Sequence, residues 1–292
     1  MIKANGNAID NNPGGIAAGN NQGGIITAWL TPHPPVVVPD VGHGREREIS
    51  ATLEAMRSAA EDIVDGGPEL IIISSPHAPT RGSTILVSGD SMLKGDLRQF
   101  GARNTAMEFE GDREVSELIC REAEHAKIDA RFYSVKERGG LDHGAVVPLY
   151  FINEAVKKRH ASPPRLVVMS IAFLDNAGLF RFGGCVARAV RKSGRSAALI
   201  ASGDLSHKLK DDGPYGFDPA GPAFDKFLLG CVAAHDVAKL METDEHTLER
   251  AAQCGFYGLL TLYGAIGPSV REAKILSYEG TFGVGYAIAK IY

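Results

Sequence analysis

Residues 70–77 read Leu-Ile-Ile-Ile-Ser-Ser-Pro-His. The run is apolar and mostly β-branched, carries no helical period, and stops at a proline. A short continuous apolar run closed by a breaker is the pattern of a buried strand, as found in a parallel sheet covered by helices. Immediately before it, Glu46–Val64 carries apolar residues at Ile49, Leu53, Met56, Ala60 and Ile63, close to helical spacing. A helix followed by a buried strand is half of a crossover unit.

The same alternation continues in both directions. Upstream, Ile25–Leu30 reads as a strand that stops at Thr31-Pro-His-Pro-Pro. Downstream, strands are expected at Thr84–Ser88, Ala130–Val135, Leu166–Ile171 and Ala197–Ala201. Helices are expected at Asp112–Ala126, with Asp112 as N-cap, through Ala155, and at Asn176–Lys192. Three further helices, Gly221–Ala234, Thr247–Cys254 and Gly258–Ile266, lead to a closing strand pair, Ala273–Tyr278 and Gly283–Ile291. Strands alternating with helices predict an α/β domain with a largely parallel central sheet flanked by helices. With no internal repeat and no linker, residues 24–292 read as one domain. Residues 1–23 are rich in Asn and Gly and too poor in large apolar side chains to offset their ordering entropy, so they read as a disordered tail.

Composition narrows the function. The 292 residues are 44% hydrophobic and 23% charged, values of an ordinary globular chain that needs no disulfide staples. The net charge of −4 is spread along the sequence, and the absence of a Lys/Arg block argues against a nucleic-acid partner. Cys120, Cys185, Cys231 and Cys254 are isolated, which favours a reducing compartment. No apolar run is long enough to cross a bilayer and no secretory signal is readable, so a cytoplasmic location is expected. Phosphate-cradling glycine loops and a GxSxG elbow are both missing.

The chemistry lies in histidines at strand ends. His33 follows the Ile25 strand, His77 the Leu70 strand and His207 the Ala197 strand, while His143 sits in a glycine-flanked loop after the Ala130 strand. Ligands of open α/β sheets bind at the carboxyl ends of the strands, so four histidines delivered there could hold a metal and still leave an acid/base group. His43, His125, His160, His235 and His246 sit among charged or helical residues and read as surface. Asp142 and Asp204 each lie near a candidate histidine and could orient it, although Asp204 reads equally well as a turn cap. Glu279 follows the penultimate strand and could reach the same edge, or be a solvated hairpin residue. Cys254 reads as a buried structural thiol or, as a thiolate, a ligand.

Four motifs in order give a resemblance: Thr31-Pro-His-Pro-Pro, Ser75-Pro-His-Ala-Pro, Leu141-Asp-His-Gly-Ala-Val-Val-Pro-Leu, and Ser202-Gly-Asp-Leu-Ser-His followed by Gly213-Pro-Tyr-Gly. From about Ile25 to the C-terminus the chain resembles the catalytic-subunit superfamily of the class III extradiol ring-cleavage dioxygenases. Its nearest likeness is to the branch of the AmmeMemoRadiSam system, which includes the Memo-like proteins. The resemblance implies that His33 and His77 ligate metal, that His207 is the acid/base and that His143 contacts substrate or dioxygen. It implies Fe(II), a small catechol-like aromatic and dioxygen, an AMMECR1-type or radical SAM partner, and a homodimer. Where the dioxygenases have a ligating glutamate, this chain reads Ala251-Ala-Gln-Cys-Gly255 without a carboxylate. Memo-like proteins place a cysteine at the similar position, which makes Cys254 the third candidate ligand. A thiolate there softens the site, so zinc or copper also fits. The branch implies an alternative function, a metal-binding redox or accessory protein without ring cleavage.

Overall fold

The computed structural model describes residues 23–267 and 273–292; the tail expected at the N-terminus lies, Gly23 apart, outside the described residues. In chain order the strands are β1 (Gly24–Thr31), β2 (Leu70–Ser75), β3 (Ile85–Ser88), β4 (Met92–Leu97), β5 (Ala102–Glu110), β6 (Ala130–Tyr133), β7 (Arg165–Ser170), β8 (Ser196–Ser202), β9 (Lys274–Glu279) and β10 (Tyr286–Lys290). The helices are α1 (Pro39–Gly42), α2 (Ser50–Asp65), α3 (Arg113–His125), α4 (His143–Arg159), α5 (Asn176–Ser193), α6 (Ala220–Ala234), α7 (Val237–Met241), α8 (Glu245–Ala251) and α9 (Phe256–Ile266).

Eight strands form one sheet in the order β6-β3-β7-β2-β8-β1-β10-β9. The β7-β2-β8-β1 centre is parallel throughout, with β10 and β9 added antiparallel at one side. Side chains alternate along each central strand, and both faces are buried. Leu70 and Ile72 enter one core with Val167, Leu199 and helices α3, α5 and α9. Ile71 and Ile73 enter the other with Val168, Ile200 and helices α2 and α4. Two-sided burial is why the strands read as unbroken apolar runs. The register aligns the carboxyl ends, pairing Thr31 with Ser202 and Ser75 with Ser170. Residues a few positions past these pairs therefore meet at one edge.

Three local expectations change. No strand is expected between Ser88 and Asp112, yet β4 and β5 there form a separate antiparallel hairpin. His143 is not in a loop but opens α4, capped by Asp142, whose carboxylate accepts the Ala145 N–H at 3.2 Å. The helix expected to run to Cys254 ends at Ala251, because Ala252 turns into the left-handed region at φ 50° and releases Cys254 into the link to α9. No helix among the described residues is long and apolar enough to cross a membrane.

Candidate metal centre

His33 is buried just past the end of β1 and is held at two points. Its backbone N–H donates to Asp204 Oδ1 at 2.9 Å. Its Nδ1 lies 2.9 Å from Ser202 Oγ, and that hydroxyl gives its own hydrogen to the Gly144 carbonyl at 2.5 Å. With its single proton committed, Ser202 can only accept from His33, so Nδ1 carries the proton and Nε2 presents a lone pair. That lone pair faces His77 Nε2 at 3.1 Å. Two nitrogens each about 2.1 Å from one ion, at angles of about 90–110°, lie roughly 3.0–3.4 Å apart. The pair has the spacing of two ligands of one metal.

His143 completes one cluster. Its ring centroid is 4.0 Å from that of His77 and 5.5 Å from that of His33. Burial first, then the neighbouring charges of His77 and His33, push its pKa down to about 3, so it is a neutral imidazole at ordinary pH. Burial also holds His33 well below the usual histidine range. Neutral rings are what a cation needs from imidazole.

On the other side of His33 lie Asp204 and Cys254. Cys254 Sγ is 3.8 Å from His33 Nε2 and accepts the Asp204 N–H at 3.2 Å. A nitrogen at about 2.1 Å and a sulfur at about 2.3 Å from one ion are roughly 3.6–3.8 Å apart at tetrahedral to trigonal angles. Asp204 Oδ2 stands 3.9 Å from His33 Nε2 and 4.0 Å from His207 Nε2. Burial raises the Asp204 carboxyl to about 6 and drives the Cys254 thiol well above its ordinary value, with the Asp204 charge second. A buried carboxylate and thiol that resist ionisation gain most from a cation beside them.

The ligands expected from the resemblance are thus divided between two sets of mutually close donors. His33, His77 and His143 form one, and His33, Asp204 and Cys254 the other. His207 belongs to neither; its Nδ1 is buried without a partner among the described residues, and its Nε2 stands 4.0 Å from Asp204 Oδ2. Gln253 is occupied elsewhere, accepting the Phe256 N–H at 2.7 Å at the start of α9. Glu279 does not reach this edge set: its carboxylate accepts the Thr52 N–H and hydroxyl, each at 2.6 Å, near the start of α2. Asp142 binds the Ser75 hydroxyl while capping α4, and so fixes the loop that carries His77 rather than the His143 ring. Ser202, which fixes the His33 tautomer, was quoted in a motif but given no role. Its position, opposite Thr31 at a strand end, is the signal that marks it.

The fold and this site define an α/β protein with a histidine-rich cluster of candidate metal ligands at the carboxyl edge of its sheet. Residues 27–289 match the family model described as the catalytic LigB subunit of aromatic ring-opening dioxygenase, and the chain belongs to that family. It is 38% identical over 269 residues to Protein CA_C1420 of Clostridium acetobutylicum, a match covering 90% of this chain and 56% of that protein. It is 29% identical over 114 residues to the 3,4-dihydroxyphenylacetate 2,3-dioxygenase of Escherichia coli, covering 38% of each. The chain therefore spans only part of the length of the curated relatives it matches. The fold is shared with the crystal structure of uncharacterized protein JW3007 from Escherichia coli K12, at a TM-score of 0.60 and 16% identity, covering 91% of this chain and 99% of that one.

Proposed function

We propose that this protein is a non-haem, Fe(II)-dependent dioxygenase of the extradiol type that opens a catechol-like aromatic ring. The observation that carries the reading is the pair of facing Nε2 atoms of His33 and His77, 3.1 Å apart at the carboxyl edge of a LigB-family sheet. His33 and His77 would hold the ion, with Cys254 as the third donor beside His33. Fe(II) held there would supply Lewis-acid and redox chemistry toward a catecholate and dioxygen.

The chain's own residues do the rest. Ser202 keeps His33 in the ligating tautomer. His207, whose Nε2 stands 4.0 Å from Asp204 Oδ2 at the edge of the cluster, is the group placed to take a hydroxyl proton at that nitrogen and return it on ring opening. His143, neutral and half-buried, is placed to hydrogen-bond substrate or dioxygen without adding charge. The half-exposed side of the cluster, at His77 and His143, is the side from which substrate enters.

The test is anaerobic reconstitution followed by elemental analysis and oxygen uptake over a panel of catechols. The expected result is about one ion per chain, lost in His33→Ala, with oxygen consumption and a yellow ring-opened product. Stoichiometric metal with no uptake on any catechol would sink the ring-cleavage reading. It would favour the redox or accessory alternative, which the thiol in place of a carboxylate supports. Cobalt(II) substitution reads the third donor directly: a thiolate charge-transfer band present in the wild type and absent in Cys254→Ser places the sulfur on the ion.

A further inference from the structure

Two aromatic rings, on different loops, stand edge-on to the two histidines assigned to substrate and proton handling. Phe100 lies 5.2 Å from His143 at an interplanar angle of 69°. Tyr215 lies 5.1 Å from His207 at 79° and is 57% exposed, a costly position for a large ring that packs against nothing else aromatic among the described residues. We infer that Phe100 and Tyr215 are the two walls that bind the flat ring of the substrate, one on the His143 side and one on the His207 side. The inference rests on the catechol reading of the site.

The placement of Phe100 is built, not incidental. It ends the turn Arg98–Phe100 that joins β4 to β5. Asp96 fixes that turn, accepting the Arg98 N–H at 3.0 Å and its guanidinium at 2.6 and 2.8 Å. The hairpin is tied at two places to elements that carry site residues. The Leu141 N–H donates to the Lys94 carbonyl at 2.7 Å, two residues before His143. Thr105 Oγ1 donates to Asp40 Oδ2 at 2.6 Å, in the helix that follows His33. Gly95 lies so close to α4 that a Cβ would meet Val146 at 2.5 Å, so the hairpin seats flat on the helix His143 opens. Tyr215 is held from behind: Lys208, next to His207, donates its ammonium to the Tyr215 carbonyl at 2.7 Å. Both walls are thus fastened to the segments that carry the histidines they flank. A planar π-system is the ligand chemistry such edges select, because ring pairs gain from edge-to-face and offset contacts beyond simple burial.

The test titrates 4-nitrocatechol, a chromophoric and slowly reacting ring, into anaerobic metal-loaded wild type and the variants Phe100→Ala, Phe100→Leu, Tyr215→Ala and Tyr215→Phe. Metal content and thermal midpoint are measured on each. Loss of one ring contact is expected to weaken binding about 2- to 12-fold in the two alanine variants, with metal content unchanged. Tyr215→Phe, which keeps the ring, should bind like wild type, and Phe100→Leu should fall between wild type and Phe100→Ala. Wild-type affinity in both alanine variants overturns the wall assignment while leaving the catechol reading intact. No binding to metal-loaded wild type overturns that reading and the walls with it.

Discussion

Gly203→Ala separates a geometric account of this site from a purely compositional one. A Cβ on Gly203 would fall 2.1 Å from Gly255 Cα, 2.8 Å from Gly255 N and 3.1 Å from the Cys254 carbonyl oxygen. All three neighbours are backbone, so no side chain can swing aside, and the two segments must part by more than an ångström. Three contacts hold them together: the Cys254 and Gly255 N–H groups donate to the Asp204 carbonyl at 3.2 and 3.0 Å, and the Asp204 N–H donates to Cys254 Sγ at 3.2 Å. Losing them costs about 1 kcal/mol each, and overpacking a close contact adds about 1–3 kcal/mol. A destabilisation on the order of 4 kcal/mol, read as a fall of about 10 °C in Tm, is expected. Because the same parting carries Cys254 away from His33, the cobalt(II) thiolate band should weaken or vanish in whatever fraction folds. Gly230→Ala is the control, since Gly230 lies in α6 with open space where its Cβ would go. It should gain roughly 0.5–1 kcal/mol from helix propensity. A Gly203→Ala protein with wild-type Tm and an intact thiolate band would refute the placement of Cys254 beside Asp204.

Ser202→Ala removes the acceptor that fixes the His33 tautomer, and metal affinity in a chelator competition should fall about 10- to 100-fold while the fold persists. The raised Cys254 thiol must lose a proton to ligate, so affinity should climb with pH about tenfold per unit through the neutral range. Cys254→Ala should lose that slope, and an unchanged slope would take the sulfur off the ion. A second buried carboxyl tests the packing away from the metal. Asp225 accepts the Ser206 N–H and the Tyr278 hydroxyl, each at 2.7 Å, and burial raises its pKa to about 6. A folded pKa above the unfolded value of about 3.9 gives stability that is fully present below pH ~4 and lost as pH rises through about 6. Asp225→Asn has no such loss, so its stability relative to wild type should rise by about 2 kcal/mol between pH 4 and pH 8. Urea midpoints at the two pH values measure it, and a pH-independent difference would contradict the buried charge.

How much was legible in the sequence follows from what each element buries. The central strands are covered on both faces, so their apolar runs announced both the sheet and the edge where His33, His77 and His207 emerge. The β4–β5 hairpin lies outside that sheet and buries one face: Leu93, Leu97, Met107 and Phe109 point inward while Lys94, Arg103 and Glu108 stay exposed. Its charged, glycine-broken alternation gives no clear strand signal, and without the hairpin the position of Phe100 is not legible either. Nothing in the alanine at 252 signals a left-handed residue, so the end of α8, and hence the freedom of Cys254 to approach His33, needed tertiary structure. Asp204 reads from sequence as either an orienting carboxylate or a turn cap, and in the fold it serves instead as an anchor between segments. Its side chain takes the His33 N–H while its backbone carbonyl secures the Cys254 link.

The distribution of protons in this site argues for the order in which it works. His33 and His143 are driven neutral by burial and then by the neighbouring His77, so the folded chain has already met the cost of keeping imidazole uncharged beside a cation. Asp204 and Cys254 are driven the opposite way, toward their protonated forms, by the same burial. The neutral nitrogens can therefore engage an ion without releasing protons, whereas the sulfur donor ionises only once positive charge is near. Binding first through His33 and then through Cys254 follows from that asymmetry. It also gives a physical reason for a thiol at this depth beside His33: a buried thiol without metal carries no charge, whereas a carboxylate there would carry one unless it took up a proton.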